Sequence, residues 1–110
     1  MIRALLIDDD KDHAERLERE MNRRSVLTTY IATRREAVEE LKSCTASIYL
    51  VVLVLGNRSQ PWFEILHQLQ QAAWQPGTGE FPLFFCISRL NFGADFQLRI
   101  ERMGARYVIE

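Results

Sequence analysis

Apolar and charged positions alternate in blocks along this chain, and the spacing inside each block predicts its secondary structure. Short runs that are almost continuously apolar, or rich in β-branched residues, are typical of strands buried in a parallel sheet. Five strands are predicted, at residues 2–7, 26–32, 48–55, 83–87 and 106–109. Between them, apolar residues recur at helical spacing. Four helices are therefore predicted, at residues 11–23, 33–42, 61–73 and 95–103.

Polar and special residues mark the ends of the predicted helices. Asp10 is placed to cap the first helix, because a carboxylate there meets free backbone amides and the positive end of the helix dipole. Thr33 and Glu36 form the T-x-x-E pattern of a capping box at the start of the second helix. Pro61 suits the first turn of the third helix, and Gly104 ends the fourth.

The strict alternation of strands and helices predicts one α/β domain over residues 1–110, with a parallel sheet covered on both faces. Ligands of such sheets bind at the carboxyl ends of the strands. Asp8 and Asp9 follow the first strand, Val54 and Leu55 end the third, and Ser88 follows the fourth. Acidic residues in this place often only cap the next helix, so the pattern alone leaves the function open.

Composition argues against several classes of function. The 110 residues are 47% hydrophobic, enough for one core, and a formal net charge of −1 offers no basic excess for binding nucleic acid. The longest apolar run is too short to span a bilayer, and no leader pattern opens the chain, so a cytoplasmic location is expected. Cys44 and Cys86 lack CxxC spacing and are expected to be free thiols.

Five motifs, in order, resemble the receiver domain of two-component response regulators over essentially the whole chain. They are the apolar run before Asp8 and Asp9, the apolar strand at 48–55, Glu64-Ile65-Leu66 in the following helix, Pro82 through Ser88, and Gly104-Ala105 before Tyr107-Val108-Ile109. The resemblance implies a flavodoxin-like, doubly wound sheet of five parallel strands in the order 2-1-3-4-5. It also implies that Asp8 and Asp9 stand where receivers hold Mg²⁺.

The departures from the receiver pattern concern the groups that carry phosphotransfer. The register set by Glu64 puts the phospho-acceptor Asp of the family at Val54, which has no nucleophile. The conserved Lys of the family falls at Glu110 or just beyond it, so the Lys is absent either way. Ser88 matches the switch Ser or Thr of the family, unless gap placement moves that position to Ile87. The resemblance therefore implies a pseudo-receiver that signals through protein contacts.

Asp8 and Asp9 form a candidate acidic pocket that should bind metal weakly or remain unoccupied, so no cofactor is expected. With two side-chain ligands, Mg²⁺ would keep most of its water. A Glu110 side chain turned inward would complete an all-oxygen site better suited to Ca²⁺ or Mn²⁺. Two adjacent carboxylates repel each other unless they are solvated, capped or neutralised. Arg58 and Arg89, on loops expected at the pocket rim, are the candidate cations.

Two alternative functions stay open at this point. One is a receiver phosphorylated at an unusual acceptor, such as Ser88 or Asp9. The other is an enzyme, because Asp8-x-Asp10 resembles the nucleophile motif of Mg²⁺-dependent haloacid-dehalogenase-type phosphatases. Asp12 stands where that family has Thr or Val, and no Asp-Asp pair follows residue 10. We therefore expect a domain that is not an enzyme.

Several other side chains have two possible roles. His13 and His67 fall in charged or polar helical stretches and are expected to face solvent. Phe92 and Phe96 are expected to pack on the core, with an exposed partner surface as the alternative. Trp62, where receivers have Gly, either packs on its loop or fills the cavity.

The sequence ends at the predicted fifth strand, whereas receivers continue into a helix that lies beside the first helix. We therefore expect the final helix to be lacking and the sheet face beside residues 11–23 to be partly bare. Bare apolar surface costs about 25 cal/mol per Å². A second copy of the chain, its own downstream domain or a partner protein is expected to cover it, with self-association or a downstream segment favoured. No contact with nucleic acid or membrane is expected.

Overall fold

A computed structural model describes residues 2–43, 48, 50–74 and 81–110 of the chain. The strands are β1 (Ile2–Ile7), β2 (Val26–Ile31), β3 (Leu50–Leu55), β4 (Leu83–Ser88) and β5 (Arg106–Ile109). The helices are α1 (Lys11–Arg23), α2 (Arg34–Ser43), α3 (Trp62–Ala73) and α4 (Ala94–Arg102). All the predicted elements are present, although β3 begins later than predicted. The predicted role of Cys44 lies outside the described residues.

The five strands form one parallel sheet in the order β2-β1-β3-β4-β5, which confirms the predicted doubly wound topology. Ile7 at the end of β1 pairs with both Ile31 and Leu53, and Leu55 pairs with Ser88. The carboxyl ends of the strands therefore meet along one edge of the sheet. No helix follows β5 within the described ranges.

The predicted helix ends are confirmed by their hydrogen bonds and backbone angles. The carboxylate of Asp10 accepts from the backbone N–H of His13 and caps α1. The hydroxyl of Thr33 accepts from the N–H of Glu36 and donates to its side chain. Gly104 has φ +92°, a left-handed conformation that glycine adopts without strain and that ends α4. The caps fix where each helix starts relative to the strand before it.

The two faces of the sheet are covered unequally. Helices α2, α3 and α4 pack on one face and enclose the larger core, to which Cys86 belongs as a free, buried thiol. On the other face α1 lies over β1 and β2. Beyond α1, Leu83 is 65% exposed and Val108 is 45% exposed. We call the surface of Leu83, Phe85, Ile87 and Val108 the uncovered face, and its presence agrees with the predicted bare sheet.

Candidate functional site

A cavity of about 140 Å³ lies at the carboxyl ends of β1 and β3. Its walls include Asp8, Asp9, Val54, Trp62 and Arg34. The side chains meet because β1 and β3 are neighbouring parallel strands and each contributes the residues near its carboxyl end. The structure thus brings together Asp8, Asp9 and Val54, as the sequence predicts.

Val54 is embedded in apolar neighbours. Its side chain is 2% exposed and belongs to a buried cluster with Leu6, Ala14 and Val52. In the sheet Val54 pairs with Ile87, which pairs in turn with Val108. An aliphatic row of Val54, Ile87 and Val108 therefore crosses the sheet at this level.

Asp8 is 1% exposed, and both of its carboxylate oxygens are hydrogen-bonded. Oδ1 accepts from the backbone N–H of Asp10 at 3.0 Å. Oδ2 lies 2.5 Å from Nδ1 of His13. Asp9, by contrast, is exposed at the mouth of the cavity. The two adjacent acids therefore have different environments, and only Asp9 turns toward solvent.

The prediction that His13 faces solvent is wrong. Its side chain is 2% exposed, with Nδ1 on Asp8 and Nε2 2.7 Å from Oε2 of Glu110. Residues four apart share a helix face, so His13 lies on the same side of α1 as Leu17, which packs against the sheet. That spacing was the signal in the sequence. His67 is exposed on α3, as predicted.

The charge state of His13 follows from competition between burial and its two partners. Burial acts to lower the pKa of His13, but the hydrogen bonds and charges of Asp8 and Glu110 outweigh it. The pKa of His13 is therefore raised above its ordinary value of 6.5. An imidazolium is the form that can donate to two carboxylates at once.

The expectation that Arg58 and Arg89 neutralise Asp8 and Asp9 is wrong. Arg89 instead forms an ion pair with Asp10, with 2.7 Å between Nη1 and Oδ2. The backbone N–H of His13 and the guanidinium of Arg89 both lower the pKa of Asp10. Arg58 donates to the carbonyl of Asn91 and lies over the ring of Phe92. Arg89 therefore pairs with the cap of α1, and His13 is the cation beside Asp8.

The switch-like and Lys-equivalent positions lie next to each other. Ser88 is fully buried, and its hydroxyl donates to the carbonyl of Leu90 and accepts from its N–H. The N–H of Glu110 donates to the carbonyl of Ser88 at 2.9 Å, which extends the pairing of β4 and β5. Glu110 thus stands at the end of β5, and its carboxylate points to His13 on α1.

Aromatic side chains close the loops around the site. Trp62 is buried, lines the cavity and donates from Nε1 to the carbonyl of Asn57 at 2.6 Å, so it both packs on the loop and narrows the cavity. Phe92 and Phe96 stack with ring centroids 4.6 Å apart and pack against the larger core. This agrees with the predicted core packing of the two phenylalanines.

Comparison with known proteins identifies the fold. No protein-family model and no curated protein matches the chain. A two-component response regulator from Clostridium difficile superposes with a TM-score of 0.79 at 15% identity, covering 100% of this chain and 84% of that one. The non-phosphorylated HemR receiver domain from Leptospira biflexa gives 0.76 at 24% identity, over 100% of this chain and 82% of that one. The chain has the receiver fold.

A response regulator from Burkholderia pseudomallei, solved with a phosphorylated aspartic acid, calcium ion and citrate, also has this receiver fold. It superposes with a TM-score of 0.78 at 16% identity. The present chain is covered completely but spans only 60% of that chain. The fold is therefore shared with a response regulator that carries a phosphorylated aspartic acid.

The side chains of this receiver fold do not fit a divalent cation well. Both oxygens of Asp8 already accept hydrogen bonds, and the imidazolium of His13 beside Oδ2 repels a divalent cation. Val54 supplies no third oxygen. Within the described residues, no group of three or more His, Cys, Asp or Glu side chains is arranged to hold a metal ion. Asp9 remains as a single exposed carboxylate.

In the part of the chain that the structure describes, no helix combines the length and the apolar character needed to cross a membrane.

Proposed function

We propose that this domain is a pseudo-receiver, a signalling module that takes no phosphoryl group on β3 and acts through protein contacts without being an enzyme. The observation that carries the proposal is Val54, 2% exposed among aliphatic side chains beside Asp8 and Asp9. Phosphorylation of a receiver requires an oxygen nucleophile in line with the transferred phosphoryl group. A valine side chain has no lone pair with which to attack.

The charges around the cavity support the same proposal. A phosphoryl group brings negative charge, and transfer needs cations to stabilise it. Glu110 stands where the receiver pattern has Lys, and the nearby cation His13 is already paired with two carboxylates. Arg34 lies in the cavity wall, away from these pairs. The site therefore has excess negative charge where a phosphoryl acceptor needs positive charge.

The buried state of Ser88 gives no support to the alternative of an unusual acceptor. Its hydroxyl is fully buried and makes two hydrogen bonds to the backbone of Leu90. A phosphodonor would have to displace both bonds and enter a closed site. Asp9 is exposed, and Arg34 is the cation that lines the cavity with it.

Beryllofluoride, which mimics a phosphoryl group on a carboxylate, tests the proposal without a covalent reaction. Amide spectra of the ¹⁵N-labelled domain should stay unchanged on adding beryllofluoride with Mg²⁺, because no acceptor carboxylate stands at position 54. The Ser88→Ala variant should respond like the natural chain. Saturable shifts at Val54 and its neighbours in the natural chain would contradict the proposal.

The uncovered face is the surface we propose for the protein contact, with a second copy of the chain as its occupant. Its apolar residues lie on β4 and on the edge strand β5, where unpaired backbone groups are also available. A two-fold axis near Val108 would bring the edge strands of two copies together and place their Val108 side chains against each other.

Sedimentation velocity over a range of concentrations tests this contact. The natural chain should show a sedimentation coefficient that rises with concentration, and Val108→Lys should abolish the rise because it places a charge at the centre of the apolar patch. Leu98→Lys is the matched control, since Leu98 is exposed to a similar extent on α4, which packs on the other face. A natural chain that stays monomeric, or equal effects of both substitutions, would contradict the contact.

A further inference from the structure

Three ionisable side chains form a continuous chain of contacts across the sheet. His13 of α1 joins Asp8, which follows β1, to Glu110, which follows β5, with heavy-atom distances of 2.5 and 2.7 Å. β1 and β5 are not neighbours, because β3 and β4 lie between them. The imidazole therefore links two strand ends that the backbone hydrogen bonds of the sheet do not join directly.

The hydrogen-bond donors and acceptors of these three side chains determine how many protons the His13 ring carries. An ionised carboxylate can only accept a hydrogen bond, so each of the two contacts needs a proton on the imidazole nitrogen. Both ring nitrogens then carry a proton and the ring is an imidazolium. Its charge lies between two carboxylates, one buried and one half-exposed, where charge-assisted hydrogen bonds are short and strong.

The remaining charged groups at this edge do not take the place of His13. Asp10 is paired with Arg89, and its other carboxylate oxygen accepts from the backbone N–H of His13. Asp9 is exposed. A buried carboxylate without a counter-charge is costly, and for Asp8 the imidazolium is the cation within hydrogen-bonding distance.

We propose that the imidazolium of His13 is the resident cation of this acidic pocket, that its positive charge beside Asp8 opposes a divalent metal there, and that it fastens the end of β5 to α1. A metal ion and His13 compete for the same carboxylate. The domain therefore does not respond to Mg²⁺. This proposal is independent of the proposed lack of a phospho-acceptor, because a domain without an acceptor can still bind Mg²⁺.

Long-range ¹H–¹⁵N spectra of the full chain test the charge state directly. The chain has two histidines, so His67, exposed on α3, supplies an internal reference signal. At neutral pH both ring nitrogens of His13 should show the pattern of a doubly protonated ring. A neutral tautomer with one unprotonated nitrogen would overturn the proposal.

A titration with Mg²⁺ alone, followed by the amide signals of Asp9 and Asp10, tests the competition. The natural chain and the control His67→Gln should show no saturable shift at millimolar Mg²⁺. His13→Gln removes the positive charge beside Asp8 and should bind Mg²⁺ about tenfold more tightly than the natural chain. Glu110→Gln keeps the contact between His13 and Asp8, so this variant should also show no saturable shift with Mg²⁺. It gives a second test of the proposal if His13→Gln fails to fold. Saturable binding by the natural chain or by Glu110→Gln would overturn the proposal.

Discussion

Replacing Val54 with Asp restores the carboxylate of the receiver pattern and should strongly destabilise this domain. Val54 is 2% exposed and packs with Leu6, Ala14 and Val52. The matched control is Val54→Asn, because Asn has nearly the same size and shape but cannot ionise. The difference between the two variants therefore isolates the effect of the charge.

The expected size follows from burial. Losing the buried valine side chain costs about 1.5–3 kcal/mol. An unsatisfied polar group in its place adds about 1–3 kcal/mol for both variants. Burial and the nearby Asp8 should raise the pKa of the new Asp carboxyl. In the unfolded chain this carboxyl has a pKa of about 3.9 and is ionised at pH 7. Keeping it protonated in the folded domain at pH 7 therefore costs a further ~4 kcal/mol.

The two variants should differ most at neutral pH and converge in acid. Below about pH 3.9 the new Asp carboxyl is protonated in the folded and in the unfolded protein. Above that pH it ionises in the unfolded protein first, because folding raises its pKa, and the free energy of unfolding therefore falls as pH rises. Urea unfolding of both variants at pH 7 and pH 4.5 measures the difference, which should fall from about 4 to about 1 kcal/mol. Equal stability of the two variants at pH 7 would refute the reasoning, since it would mean that the cavity supplies water or a cation to position 54.

Two further predictions concern other buried groups. Because the pKa of His13 is raised, the stability that it contributes is present below pH 6.5 and is lost as pH rises through the folded-state pKa. In urea unfolding, the natural chain should therefore exceed His13→Gln in free energy of unfolding by less and less toward alkaline pH. The difference should fall by at most about 1.4 kcal/mol per pH unit. A difference that grows with pH would contradict this prediction. Burial raises the pKa of Cys86 to about 12, so in a Cys44→Ser variant a thiol reagent should modify Cys86 only as fast as the fold opens. Immediate modification of the folded protein would contradict its burial.

The elements of this fold were predictable because their signals are local. Apolar spacing and the caps at Asp10, Thr33 and Gly104 each depend on residues a few positions apart. The alternation of strands and helices then restricts the topology to few possibilities. The positions of Asp8 and Val54 at the sheet edge follow from that topology alone.

The pairing inside the site was not predictable in the same way. The pairing of His13 with Glu110 forms only after the sheet has brought the end of β5 toward α1. Arg89 likewise pairs with Asp10, which lies far from it in the sequence. These choices are made among charged groups distant in sequence, and apolar periodicity carries no information about them.

The most direct test of the proposed function is incubation of the full chain with acetyl phosphate and Mg²⁺, followed by intact-mass measurement. The natural chain should keep its unmodified mass, because Val54 cannot accept a phosphoryl group and no Lys stands at position 110. Val54→Asp alone should not restore a full receiver switch, because no Lys stands at position 110. A natural chain that gains the mass of a phosphoryl group would contradict the assignment of this domain as a pseudo-receiver.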